Sequence, residues 1–226
     1  PGLNRAQIDQ NLLEERYGNI GTGLKSRSIG RPMVQAKPNS PLEDLPQKEW
    51  TVDEYHRMIA AGIFTSRDRV ELLDGQIIEM VPQEPPHAST TSSFGNDCVM
   101  LFAGKAWIRQ QLPITIAPNS EPEPDIAVVK LNPTRYRDRH PIPEDIYLLI
   151  EVADSSLDYD RERKVKIYAK AKIPEYWIVD VKQQQLLVFR EPEGETYQVE
   201  QVLGETDTIS PISFPEIVIR LANLLV

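Results

Sequence analysis

The chain has 226 residues, 40% of them hydrophobic and 26% charged, with a formal net charge of −9. This is the balance of one full-size globular domain plus an extension, and the acidic excess excludes a general nucleic-acid coat protein, whose phosphate-binding surface would show as a basic surplus. No apolar run is long enough to span a membrane, no leader pattern opens the chain, and the single cysteine, Cys98, excludes an intrachain disulfide, so a reducing, cytoplasmic setting is expected.

In chain order, residues 1–45 read as an N-terminal extension. A weak helical pattern over 6–17 gives way to a stretch rich in Gly, Ser and basic residues, then to Pro32, Pro38 and Pro41. The domain is expected over 46–226. Thr51 with Glu54 three residues later forms a capping box for a helix over 52–61, stopped by Gly62. Residues 70–81 read as a hairpin around Asp74-Gly75, a type I′ signal. Phe94, Cys98, Leu101 and Phe102 share one face of a long helix expected over 87–110, with Cys98 a buried structural thiol. A short strand follows over 113–117, and the prolines of Glu121-Pro122-Glu123-Pro124 straighten the approach to the next strand, 124–129. Then come a strand over 146–152, a basic helix over 160–171, a strand over 176–181, and a meander over 185–190 and 196–203. Residues 214–226 end the fold as a last strand or a short helix. The order predicts an α/β (α+β) fold, a mixed sheet with helices packed on it.

Two of these apolar strands carry a carboxylate each, Asp125 in Pro-Asp-Ile-Ala-Val-Val and Glu151 in Ile-Glu-Val. A charged carboxylate in such a setting costs several kcal/mol unless a cation or strong donors meet it. At 3.6 residues per turn the basic helix puts Val165, Ile167, Tyr168 and Ala171 in one apolar arc, with Lys164 in its middle. Arg163, Lys166 and Lys170 fall on the opposite, solvated side. One lysine therefore points toward the strands that carry Asp125 and Glu151. Two carboxylates at adjacent strand ends can hold a hard divalent cation such as Mg²⁺, with Mn²⁺ a possible substitute. A lysine beside them can position an attacking water and stabilise developing charge. Lys130, Arg135, Arg137, Arg139 and His140 after one strand, and Arg161 to Lys172 after the other, are expected to form a basic rim flanking the carboxylates.

The same residues resemble a known family. Pro124-Asp125, Glu151-x-Val and a following lysine look like the PD-(D/E)xK nuclease superfamily. More narrowly, Glu71-Leu-Leu-Asp-Gly75, Pro124-Asp125-Ile126-Ala127-Val128, Ile150-Glu151-Val152, Lys164-x-x-x-Tyr168 and Pro174-Glu175-Tyr176-Trp177-Ile178-Val179-Asp180 resemble the Uma-two family of restriction-endonuclease-like proteins, over roughly residues 50 to 205. The resemblance implies a restriction-endonuclease-like core, Mg²⁺ dependence, a DNA substrate and a homodimer. The superfamily lysine would stand two residues after Glu151, where this chain has Ala153; Lys164 matches a lysine moved to the helix. Lys172 stands where the family usually has glycine, at a cost of about 1 kcal/mol if it adopts the left-handed cap.

The expected site therefore has Asp125 and Glu151 as metal ligands and Lys164 beside the water. Glu71 and His87 are auxiliaries, each with a plain alternative as a hairpin charge and a helix-start residue. Tyr168 and Trp177 read as core, and Ser155 and Ser156 as caps of the turn before the basic helix. His56 and His140 lack the spacing of a zinc site. The competing expectations are a non-catalytic module that keeps the fold to bind nucleic acid or protein, and a metal-dependent hydrolase of small phosphate esters.

Overall fold

The computed structural model describes residues 47–65, 67–154 and 156–223; the expected extension over 1–45 lies outside them, as do Ser155 and residues 224–226. Helix α1 (Val52–Ala60) opens with the expected capping box. The Glu54 N–H donates to Thr51 Oγ1 at 3.2 Å, and the Thr51 N–H donates to the Glu54 carboxylate at 2.9 Å. Strands β1 (Val70–Leu73) and β2 (Gln76–Glu79) pair antiparallel around Asp74 and Gly75, which take φ of 48° and 74°. Gly75 is needed twice over, since a Cβ there would stand 2.6 Å from Glu49 Cβ. Val52 and Tyr55 of α1 pack with Leu72 of the hairpin in a small apolar cluster.

Helix α2 (Pro85–Leu101) is shorter than the expected 87–110. The chain turns through Gly104 at φ 74°, and Trp107–Gln110 is instead strand β3. Its partner explains the difference. Strand β4 (Ile126–Val129) takes up the backbone groups of β3 in an antiparallel ladder, Trp107 opposite Val129 and Gln110 opposite Ile126. The strand expected over 113–117 does not form. Pro113, Pro118, Pro122 and Pro124 cannot donate to a ladder, and the segment is a loop with isolated bridges, Ile116 to Ser120 and Leu72 to Glu121.

Strand β5 (Ile146–Ala153) pairs antiparallel with β4 and parallel with β6 (Glu175–Asp180). A parallel pair needs a crossover of a dozen residues or more, and the segment between supplies a helical one. It starts earlier than the expected residue 160 and is not uniform: α3 (Leu157–Tyr159), a wide π-helical turn (Asp160–Lys164), then α4 (Val165–Lys170). Ser156 caps no backbone group. Its hydroxyl donates to Asp160 Oδ2 at 2.6 Å instead. After α4, Lys172 takes φ 58°, its N–H donates to Ala169 O and that of Ile173 to Tyr168 O, a Schellman stop.

Strands β7 (Gln185–Glu193) and β8 (Thr196–Leu203) complete a six-stranded sheet in the order β3-β4-β5-β6-β7-β8. The closing segment is a two-residue ladder, β9 (Thr208–Ile209) with β10 (Ile219–Arg220), followed by a 3₁₀ turn at Leu221–Asn223. The fold is thus a mixed α/β sheet covered on both faces. Phe94, Cys98 and Phe102 of the α2 segment, with Phe214, Ile217, Ile219 and Leu221, cover the face of Ile126, Ile150 and Trp177. Ile167 and Tyr168 of α4, with Leu73, Ile114 and Ile116, cover the face of Ala127, Leu149 and Ile178.

Candidate functional site

The β4–β5 register, Ile126 opposite Ile150, sets Asp125 beside Glu151. The Asp125 N–H points at Glu151 Oε2 at 3.4 Å, and the Val152 N–H donates to Asp125 Oδ2 at 2.9 Å. From the crossover, Lys164 Nζ reaches Glu151 Oε1 at 2.9 Å and Asp160 Oδ1 at 3.5 Å. All four side chains are buried, between 3% and 7% exposed. His87, near the start of α2, places Nε2 3.2 Å from Asp125 Oδ2. Glu71 of β1 is buried and accepts the Glu123 N–H at 3.2 Å. The structure therefore brings Glu71, His87, Asp125, Glu151 and Lys164 to one cleft of ≈ 380 Å³. A larger hollow of ≈ 540 Å³, lined by Lys166, Lys170 and the 116–120 loop, contains none of the five.

The charges in the cleft shape one another. Burial pulls Lys164 down, but Glu151, Glu71 and Asp160 outweigh it and hold the ammonium well above its ordinary value. Burial pushes the Glu151 carboxyl up, against the pull of Lys164 and with the help of Asp160 and Asp125. Asp160 is raised by burial against the same lysine. Burial also lifts Glu123, with Glu71 adding to it. Asp125 goes the other way: burial opposes its charge, yet the His87 hydrogen bond and charge and the Val152 N–H bring it below the usual carboxylate range.

Sequence reasoning missed two members of this cluster. Asp160 stands four residues before Lys164, a spacing that puts the pair on one helical face and could have singled it out. Tyr168 is buried as expected, but its hydroxyl donates to Glu151 Oε1 at 3.0 Å, a direction that only the tertiary packing determines. Gln111 Nε2 also donates to Asp125 Oδ1 at 3.2 Å.

Of the two basic clusters expected to flank the carboxylates, only Lys164 lines the cleft. Lys130 to His140 follow the far end of β4, where Val129 faces Ile146, whereas Asp125 precedes its near end beside Ile150. On the crossover, Arg161 pairs with Glu200 and Lys170 with Glu195, while Arg163 donates to Leu73 O and Gln76 Oε1. Strand direction, invisible in local sequence, separates the first cluster from the carboxylates. Among the described residues no three His, Cys, Asp or Glu side chains are arranged to hold a metal by themselves, and no helix is long and apolar enough to cross a membrane.

Comparison with known proteins places the chain. The profile of the family described as "Uma2: Putative restriction endonuclease" matches residues 52–222. A crystal structure described as "a putative nuclease belonging to DUF820 from Anabaena variabilis" superposes with a TM-score of 0.62 at 18% identity, over 77% of this chain and 97% of that one. At that identity the likeness speaks for the fold alone. No curated protein matches the chain.

Proposed function

We propose that this chain, which belongs to the Uma2 family of restriction-endonuclease-like proteins, is a divalent-metal-dependent endonuclease that hydrolyses DNA phosphodiester bonds. One observation carries the reading: the buried Lys164 ammonium, 2.9 Å from Glu151 Oε1, in the same cleft as Asp125. The donor set fits a hard cation. Eight carboxylates, among them Glu71, Glu123, Asp125, Glu151 and Asp160, line a cleft whose cationic side chains are Arg69, Lys164 and His87. Mg²⁺ and Mn²⁺ suit such oxygen donors, and Mg²⁺ needs only one or two carboxylates because it keeps several waters.

Asp125 and Glu151 would hold the ion, which supplies Lewis-acid polarisation of a phosphoryl oxygen and a more acidic water. The chain's own groups do the rest. Lys164 and Tyr168 both engage Glu151 Oε1, which leaves Oε2, on the Asp125 side, for ligation. An ammonium has three N–H donors. Glu151 and Asp160 face two of them, and the third serves a water or a phosphate oxygen in the cleft, orienting the attack and stabilising developing charge. His87 holds its proton on Nε2 against Asp125 Oδ2 and fixes that carboxylate's orientation. Glu71 takes the Glu123 N–H and adds to the field that keeps Lys164 charged.

The reading includes a homodimer in a reducing, cytoplasmic compartment. Exposed Val99 and Met100 at the end of α2 offer an apolar contact for a second copy, and Cys98 is a free thiol. The net charge of −9 favours a second reading, a non-catalytic module that retained the fold. Calorimetric titration with Mg²⁺ and Mn²⁺, run beside a plasmid-cleavage assay, separates the two. The nuclease reading expects saturable metal binding and cleavage by the native chain, and neither by Asp125→Asn. Native protein that is folded, binds no metal and cuts no DNA would leave the second reading standing.

A further inference from the structure

The basic loop that follows β4 is an unassigned surface with a definite build. Residues 130–140 hold Lys130, Arg135, Arg137 and Arg139 against one acid, Asp138, in a chain of net charge −9. Lys130, Arg135, Arg137 and Arg139 are exposed. Arg139 is tied to Asp145, but Lys130, Arg135 and Arg137 form no ion pair among the described residues. Aromatic rings are set among these cations. The Arg135 guanidinium lies 5.6 Å from the ring of Trp107, and Arg109 and Arg139 lie 5.8 and 5.6 Å from that of Tyr136.

The loop is also fixed in shape. Arg135 and Tyr136 both take φ 57°, a left-handed conformation that non-glycine residues adopt only when their surroundings hold them there. Asn132 Oδ1 accepts the Thr134 N–H at 2.9 Å and the Thr134 hydroxyl at 2.8 Å. The buried Tyr136 donates its hydroxyl to Lys130 O at 2.9 Å. A surface ordered in advance loses little freedom when it binds.

Its position relates it to the cleft. Trp107 lies opposite Val129, so both are on the sheet face that α4 covers, and Glu151 and Lys164 lie at that same face. Along extended β4 the step from Asp125 to Lys130 is about 16 Å. The cleft itself repels a polyanion, because the eight carboxylates that line it outnumber Lys164, Arg69 and His87. A DNA duplex, with one charge per ~1.7 Å of axis, needs its phosphates held elsewhere, and a span of that length is well within its reach.

We infer that the 130–140 loop is the anchoring surface for the phosphate backbone of duplex DNA, separate from the cleft and supplying affinity that the cleft lacks. This rests on the nuclease reading for its choice of polyanion. Contacts of this kind are nonspecific, salt-dependent and shared among several cations.

The test measures binding of a fluorescein-labelled DNA duplex by anisotropy across a salt series, with Ca²⁺ present, in parallel with cleavage in Mn²⁺. The variants are Arg135→Glu with Arg137→Glu, and Lys130→Glu with Arg137→Glu, the second of which spares the Trp107 contact. Lys172→Glu with Arg220→Glu makes the same charge change at exposed sites outside the loop. Each loop pair is expected to weaken binding on the order of tenfold or more at low salt and to reduce the log–log salt slope by about 2, with the control pair close to native. Loop variants that match the control pair in affinity and slope would overturn the inference, as would native protein that binds no duplex. Native protein that binds through the loop but cuts nothing sinks the nuclease reading and leaves the anchor. Cleavage with KM and Kd untouched in the loop variants does the reverse.

Discussion

At the scale of single residues, the cleft is a balance between burial and charge. Lys164 keeps its proton because three carboxylates outweigh its desolvation. His87 obeys the same logic: burial lowers it, and the hydrogen bond and charge of Asp125, with Asp160 and Asp154 behind, raise it above its ordinary value. A histidine raised in the folded state adds stability that is complete below its unfolded value of about 6.5 and lost as pH rises through the folded one. Urea unfolding should therefore show native stability falling as pH rises above about 6.5, and His87→Gln should flatten that fall. An unchanged slope would remove His87 from the Asp125 pair. Cys98 offers a simpler check. Burial pushes its thiol up to about 12, so iodoacetamide at mildly alkaline pH should leave the native chain unmodified and label it fully in denaturant, as read by mass.

At the scale of elements, the end of α4 shows what a local rule is worth. Lys172 sits in the left-handed cap at φ 58° where glycine is free of strain. Lys172→Gly should stabilise the domain by about 1 kcal/mol, measured by chemical denaturation, with the cleft untouched. Elements governed by such rules were legible in the sequence: the Thr51–Glu54 box, the Asp74-Gly75 hairpin, and strands β5 and β6 with their aliphatic runs. Lys164 was legible for the same reason, since the wheel that buries Tyr168 also buries a residue four positions earlier. Strand β3 was not. Trp107 to Gln110 continue an apolar pattern that suits helix or strand, and only pairing with β4, distant in sequence, decides. The loop over 113–117 was lost to the same ambiguity, although its flanking prolines argued against a ladder. The two-residue β9–β10 pair carries no pattern of its own. Asp160 was present at i−4 from Lys164, but a lone acid in a charged helix reads as solvated until the fold encloses it.

At the scale of the whole molecule, buried polar groups tie distant segments to the sheet. Glu175 is fully buried, and its Oε1 accepts Trp177 Nε1 at 2.9 Å and two Arg190 donors at 2.8 and 2.6 Å. Its Oε2 accepts the Ile212 N–H at 2.7 Å. Arg190 in turn donates to Ser210 O. This network, not the cleft, accounts for the glutamate of the Glu-Tyr-Trp run, and it clamps the 210–212 segment onto β6 and β7. Glu175→Ala strands Arg190 and should cost about 3–5 kcal/mol by urea unfolding, a loss of fold that metal does not restore. The sheet also separates charge along its strands, with the carboxylates at one end of β4 and the cationic loop beyond the other. The proposed chemistry lies at the first of these ends. The most direct measurement is single-turnover cleavage of DNA in Mn²⁺ by the native chain and by Lys164→Met, each shown to be folded by circular dichroism. The arrangement at Asp125, Glu151 and Lys164 predicts cutting that needs the metal, stops with chelator and falls by at least about a hundredfold in the variant. Cleavage that persists at native rate in folded Lys164→Met would contradict it.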